Sequence, residues 1–281
     1  MFVSDHLVFV ELHKTGGSHI GKWLQELLGG QQIGKHNRIP AHLRKRFVVG
    51  SIRNPWDWYV SLWAYGCAGE GSVRRQVSRR LNLAYVWRQL GREMGRTSPS
   101  FLEAFVQVAH DAMKPVGTWE AVYRDPFDAG AFRAWLQLIH DPERSFDVGE
   151  GYGFSPVSRW AGLLTYRYLK LFTSLDDTLY SDDAPASVEE AKAIWERQRI
   201  VDFVVRNEHL EVDLLAALER AELQLANDDR ERLLSGREER TNASKRLPVH
   251  HYYDNASSDL IARREALILA NHGYEPHKKR R

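Results

Sequence analysis

The sequence predicts an α/β fold: a central parallel β-sheet flanked by helices, with a largely helical insert between strands. Three apolar runs point to it. Leu7 to Leu12 and Phe47 to Ile52 are short and nearly continuous, the pattern of strands buried on both faces. The third run, Phe203-Val204-Val205, follows a long helical middle. The first two runs each pass through a turn into a helical pattern, which is the unit that builds parallel sheets.

The elements follow in order. After Leu12, the segment His13-Lys14-Thr15-Gly16-Gly17-Ser18 breaks the run with two glycines. Ile20, Trp23, Leu24, Leu27 and Leu28 then recur at helical spacing, and Gly29-Gly30 stops them. After Ile52, Arg53-Asn54-Pro55 turns the chain, and Pro55 suits the first turn of a helix carrying Trp56 to Tyr65.

The middle reads as helical. Ser98-Pro99 is a cap and first position before Phe101, Leu102, Phe105, Val106 and Ala109. Phe132, Trp135, Leu136 and Ile139 form a second stripe, and both stripes read as packing faces. Gly149 to Pro156 reads as a loop and Ser181 to Ser187 as an exposed connection. Glu189 to Arg199 and Val212 to Leu225 carry helix patterns. Asn227 to Arg246 is highly charged, either a solvated helix and loop or a lid. Ser257 or Ser258 caps a final helix that ends at His272-Gly273, and Lys278 to Arg281 is a basic, solvated tail. With no internal repeat and no low-complexity linker, residues 1–281 read as one domain. Its core motifs lie at 7–65, the helical insert at about 70–175, and a C-terminal segment that can cover a ligand at 227–281.

Composition excludes more than it assigns. Lys and Arg total 39 against 37 Asp and Glu, a net charge of +2, so bulk charge offers nothing for nucleic acid or a membrane surface. Cys67 is the sole cysteine, which rules out an intrachain disulfide and fits a small buried hydrophobe. No apolar run reaches membrane-spanning length. Met1 to His6 lacks the basic start and long apolar stretch of a signal peptide, so a reducing, cytoplasmic setting is the expectation.

Two constellations carry chemistry. In the first, a strand feeds a glycine loop and then a helix, whose free N–H groups and partial positive charge attract an anion. Gly16 and Gly17 let the backbone close around an oxyanion, Lys14 adds a mobile charge, and Thr15 and Ser18 add hydroxyls. Lys14 precedes the glycines, the reverse of the G-x-x-x-x-G-K-[ST] order of nucleotide-hydrolysing loops, and no G-x-G-x-x-G is present. In the second, Arg53 stands at a strand end, where parallel sheets deliver residues to a ligand crevice, and Ser61 follows about two turns into the next helix. An arginine fork beside a hydroxyl suits a terminal phosphate.

Together these segments resemble a family. His13-Lys14-Thr15-Gly16-Gly17-Ser18-His19 is similar to the 5′-phosphosulfate loop of sulfotransferases that use 3′-phosphoadenosine 5′-phosphosulfate, and Arg53-Asn54-Pro55-Trp56-Asp57-Trp58-Tyr59-Val60-Ser61 to their 3′-phosphate motif. The likeness is closest to the carbohydrate-type branch and its bacterial relatives. Weaker echoes are Phe203 to Leu210, Asn242-Ala243-Ser244-Lys245-Arg246, His251 to Asp254 and Gly273-Tyr274, while residues 66–200 match no motif of the family.

The resemblance implies a P-loop-like form of the fold and a metal-free transfer that leaves 3′-phosphoadenosine 5′-phosphate. It implies that Lys14 contacts the bridging oxygen, that Thr15, Gly16, Gly17, Ser18 and His19 belong to the 5′ side, and that Arg53 and Ser61 hold the 3′-phosphate. Lys245 and Arg246 would close over the nucleotide. It also implies a glutamate or histidine base about twenty residues beyond the loop lysine. His36, 22 residues after Lys14, is that candidate, with His13 and His19 as rivals and an exposed loop histidine as the structural alternative. Glu11 reads as structural, and His250-His251 alone makes no zinc site.

The acceptor leaves little trace. Trp56, Trp58 and Trp63 crowd the second motif and can stack on a sugar, although most of the nine tryptophans fit packing stripes. The basic run Arg74, Arg75, Arg79 and Arg80 suits an anionic saccharide or simply a solvated helix face. Two other classes compete. A nucleotide-dependent kinase would need magnesium and the opposite loop order, and a non-catalytic module would bind nucleotide without turnover.

Overall fold

The structure, a computed structural model, describes residues 1–80, 108–236 and 245–275. Five short strands form one sheet: β1 (Phe2–Val3), β2 (Leu7–Val10), β3 (Gln31–Gln32), β4 (Phe47–Ile52) and β5 (Phe203–Arg206), in the order β3-β1-β2-β4-β5. The three predicted strands are its parallel part. Leu7 pairs with Phe47 and Val49 with Phe203, so β4 is the middle strand of this parallel part.

The sheet is mixed rather than parallel throughout, because β1 runs antiparallel to both β2 and β3. The reason is local. Ser4 turns the chain tightly, its N–H donating to the Leu7 carbonyl at 3.0 Å and its Oγ accepting from the Leu7 N–H at 3.1 Å. A return this short leaves no room for the crossover a parallel pair requires.

Alternation along β2 splits the core in two. Leu7 and Phe9 face Ile20, Trp23 and Leu24 of α1 (Gly17–Leu28) and Leu214 and Leu218 of the helix Leu210–Arg220. Val8 and Val10 face the larger cluster built on α2 (Pro55–Cys67) and the helix Leu163–Phe172. Gly50 permits close approach on that face, since a Cβ there would lie 2.6 Å from the Phe172 ring. Asn54 caps α2 by accepting from the Trp56 N–H, and Pro55 occupies the first turn, as the sequence predicts.

α2 is apolar nearly all round and is buried accordingly. Trp56, Trp58 and Trp63 are at most 1% exposed. Their indole N–H groups donate to Ser258, His13 and Val122 respectively, so these rings serve the core rather than a sugar-stacking surface. Trp23, Trp135 and Trp195 pack as predicted. In the basic run, Arg74 lies over the Tyr123 ring and Arg79 pairs with Asp111 at 2.8 Å.

Further differences are local. The predicted final helix is two, Asn255–Arg264 and Ala266–His272, and Asp254 rather than a serine caps the first through a reciprocal bond with Ser257. The helix expected to reach Leu225 ends at Arg220, and Glu222 turns left-handed beyond it, with φ 60°. The charged segment after Asn227 begins as the helix Asn227–Ser235. The Ser98 to Val106 pattern, Asn242 to Ser244 and the tail Lys278 to Arg281 lie outside the described residues. Among the described residues no helix is long and apolar enough to cross a membrane.

Candidate functional site

The loop after β2 has the geometry of an anion cradle. Lys14 and Gly16 take left-handed backbone angles, φ 61° and 84°, and Gly16 is the N-cap of α1 without any side-chain cap. The N–H groups of Gly17 and Ser18 meet no acceptor among the described residues, the condition in which a helix N-terminus takes an anion. Both glycines are required by space. A Cβ on Gly16 would lie 2.7 Å from Asn207 Nδ2, and one on Gly17 would press into the Glu11 side chain.

Thr15 is fully buried. Its hydroxyl donates to the Leu12 carbonyl at 2.8 Å and meets Ser51 Oγ at 2.7 Å, so it ties the loop to β4 instead of facing the opening. What the loop offers a ligand at that position is backbone. His19 is directed elsewhere too: it accepts from Trp23 Nε1 at 3.2 Å and lies 3.5 Å from the Glu211 carboxylate.

Asp57, Ser61 and Tyr65 form one stripe along α2, and Arg53, two residues before the helix, continues their four-residue spacing. Arg53 donates to Ser61 Oγ at 3.1 Å, to the Lys14 carbonyl at 3.2 Å and to Asp57 Oδ2 at 2.6 Å. The Lys14 ammonium rests 3.7 Å from the centre of the Tyr65 ring. Arg246, from the C-terminal segment, reaches Asp57 Oδ1 at 2.6 Å, while its neighbour Lys245 is exposed. Two cations thus share one carboxylate, with Lys14 near enough to feel both. Burial, with Arg53 and Arg246 adding to it, pushes the Lys14 ammonium down to about 8. Burial would raise the Asp57 carboxyl, but Arg53 and Arg246 outweigh it and hold the group below its usual range.

The late segments that echo the family gather at the same turn. Glu208 accepts from the Asn54 N–H at 2.7 Å with one oxygen and from the Tyr274 hydroxyl at 2.9 Å with the other. Asn54 Nδ2 also donates to the Glu275 carbonyl at 3.3 Å.

On the other side of Lys14 stands a second cluster. His13 and His36 stack, ring centres 3.5 Å apart and planes within 16°. His36 Nδ1 lies 3.0 Å from the Glu11 carbonyl, which only accepts, so Nδ1 carries the proton and Nε2 the lone pair. His13 Nε2 is 3.8 Å from Glu150 Oε1. Arg167 grips Glu150 with two bonds, of 2.9 and 2.7 Å, and Ser72 adds a third at 2.9 Å. Burial first, then Arg167, pushes His13 down to about 2, and burial also lowers His36. Arg167 outweighs the burial of Glu150 and holds it down to about 2.

The candidates therefore fall into two adjoining groups. Lys14, Arg53, Ser61 and Arg246 come together, as do His13 and His36, whereas the side chains of Thr15 and His19 face elsewhere. Sequence reasoning missed Asp57, Tyr65, Glu150 and Arg167. The four-residue spacing from Arg53 is a signal for the first two; nothing local marks the others. Comparison of the chain with family models, curated proteins and solved structures gives no match.

Proposed function

We propose that this protein transfers a sulfonate group from 3′-phosphoadenosine 5′-phosphosulfate to a hydroxyl or amine of a saccharide or small molecule, on a P-loop-like variant of the α/β fold. The observation that carries the reading is the convergence of Lys14, Arg53, Ser61 and Arg246 beside the uncapped start of α1. These groups come from three distant parts of the chain, and only one carboxylate, Asp57, pairs with the two arginines, so they suit a ligand that brings more than one phosphate.

The donor, when bound, would supply a sulfonate already activated by its anhydride link to phosphate. The chain's own residues have separable tasks. The N–H groups of Gly17 and Ser18 would hold the 5′-phosphate, with the backbone of Thr15 and Gly16 shaping the loop. Arg53, with Ser61 beside it, would hold the 3′-phosphate that distinguishes this donor from ATP. Arg246, followed by Lys245, would close over the nucleotide. Lys14 would leave the Tyr65 face to stabilise charge as it grows on the leaving phosphate, a contact that strengthens toward the transition state. His36, with Nε2 carrying a lone pair, would take the acceptor's proton.

Calorimetric titration with 3′-phosphoadenosine 5′-phosphate, against ATP and 5′-AMP and without added metal, tests the reading. Tight binding of the bisphosphate alone is expected. A preference for ATP would move the assignment to a phosphotransferase, and no binding would remove the nucleotide reading.

A further inference from the structure

Resting on the sulfonate-transfer reading, we propose that His13 and His36 act as one proton-accepting unit, oriented and charge-balanced by Glu150 from the helical insert.

The geometry comes from separate parts of the chain. His13 leaves β2, His36 follows β3, Glu150 lies in the turn after the helix Ser145–Val148, and Arg167 stands on the helix Leu163–Phe172. The two imidazoles are in stacking contact, and the Glu11 carbonyl fixes the tautomer of His36. Glu150 is over-determined: Arg167, itself 1% exposed, and Ser72 hold its carboxylate, while Tyr166 and Lys170 donate to its carbonyl, each at 2.6 Å. Glu150 and His36 both take left-handed backbone angles, φ 60° and 56°. Non-glycine residues held in that region persist only where their surroundings enforce it, and they gather at functional sites.

The step balances simply. The acceptor's proton passes to His36 Nε2. Its oxygen forms the bond to sulfur with the freed electron pair; a neutral amine nitrogen would attack with its own lone pair and then pass its proton to His36. The bond from sulfur to the bridging oxygen breaks, and that pair stays on the phosphate beside Lys14. The new positive charge lies on an imidazole stacked against His13, whose Nε2 is 3.8 Å from the Glu150 carboxylate. Glu11, Glu150 and Arg167 act on the charge of His36, and Arg167, Glu150, His36 and Lys170 on that of His13. Burial favours the neutral rings, and Glu150 offsets part of the Arg167 effect once a proton arrives.

The test uses the full chain. Imidazole nitrogen resonances are followed from pH 8 to pH 4.5 by NMR, and sulfate release from the donor is measured with water as the acceptor. His36 is expected as the Nδ1–H tautomer, with both rings titrating below the ordinary imidazole range. His36→Asn keeps a donor for the Glu11 carbonyl but lacks Nε2, and should slow sulfate release about 100-fold while bisphosphate affinity stays within about twofold. Glu150→Gln should slow release about tenfold and shift ring titration to still lower pH. Glu150→Asp keeps the charge in a residue that tolerates left-handed angles, and should recover most of the rate. Titration of His36 at its ordinary value near pH 6.5 would overturn the proposal, as would unchanged release in His36→Asn. Failure of the wild-type protein to bind the bisphosphate would sink the transfer reading instead, and the tautomer and ring titration would still decide whether the pair is coupled.

Discussion

Arg53 donates to the Ser61 hydroxyl at 3.1 Å, bridging the end of β4 to the middle of α2 across an eight-residue separation. The bond aims the guanidinium along the helix stripe, and the same guanidinium donates to the Lys14 carbonyl at 3.2 Å. The first expected outcome comes from this pair.

Arg53→Ala should weaken binding of 3′-phosphoadenosine 5′-phosphate by about 10- to 100-fold, the worth of one charge-assisted contact. Adenosine 5′-phosphosulfate, which lacks the 3′-phosphate, should lose little. Calorimetry with both ligands checks this, and equal losses would refute the 3′ assignment.

Lys14 gives a pH dependence. Its ammonium, lowered to about 8 in the free protein, is raised again by a bound anion. Affinity for the bisphosphate is therefore full below pH 8 and falls above it, by about tenfold between pH 7 and pH 9.5. Lys14→Arg, charged throughout, should flatten the curve. Lys14→Ala should cut turnover far more than affinity.

Asp57 neutralises Arg53 and Arg246 at once. Asp57→Asn leaves those cations facing each other and Lys14, so the melting temperature should drop, corresponding to about 1–2 kcal/mol for a partly exposed pair. Inorganic phosphate at millimolar concentration should restore more of the loss in this variant than it adds to the wild type. Equal shifts in the two proteins would show that Asp57 does not occupy the anion's role.

Glu265 offers a stability test on a group outside the candidate site. It is fully buried, accepts from the Thr165 N–H at 2.8 Å and its hydroxyl at 2.6 Å, and is bonded by Tyr59, whose oxygen also meets His140 Nε2 at 3.0 Å. Burial raises its carboxyl to about 7, more than the hydrogen bonds lower it. The folded state thus holds the proton more tightly than the unfolded chain. This contribution, roughly 3 kcal/mol, is complete below pH 4.5 and lost as pH rises through 7. Glu265→Gln should remove that slope from urea melts recorded between pH 5 and pH 8.

The parts legible in the sequence were those with local signatures. Short apolar runs and a 3.6-residue period announced β2, β4, β5, α1 and α2, and the two candidate motifs sit where those elements predict. Two-residue strands such as β1 and β3 are too short to show a period, so the mixed sheet was invisible. Gly149 to Pro156 reads as a loop, and it folds as a turn followed by the short 3-10 helix Tyr152–Phe154. The importance of Glu150 within it depends on Arg167, 17 residues on, and on His13, contacts made only by the tertiary fold. The final helix divides at Glu265 because a buried carboxylate there is claimed by Tyr59 and Thr165, and no helical pattern encodes that claim.

The place of β4 between β2 and β5 governs the order of assembly. One edge finds β2 about forty residues upstream, as soon as the first motifs are made. The other edge waits for β5, since Gly50 pairs with Val204. Pairings this distant in sequence are slow to close. A nascent chain that already holds its cradle at Gly16 and Gly17 therefore carries a bare apolar strand edge until some 150 residues more have emerged, and a bare edge invites pairing with other chains. Protection of the growing chain, rather than the strength of the finished core, would then limit how much of this protein reaches its folded form.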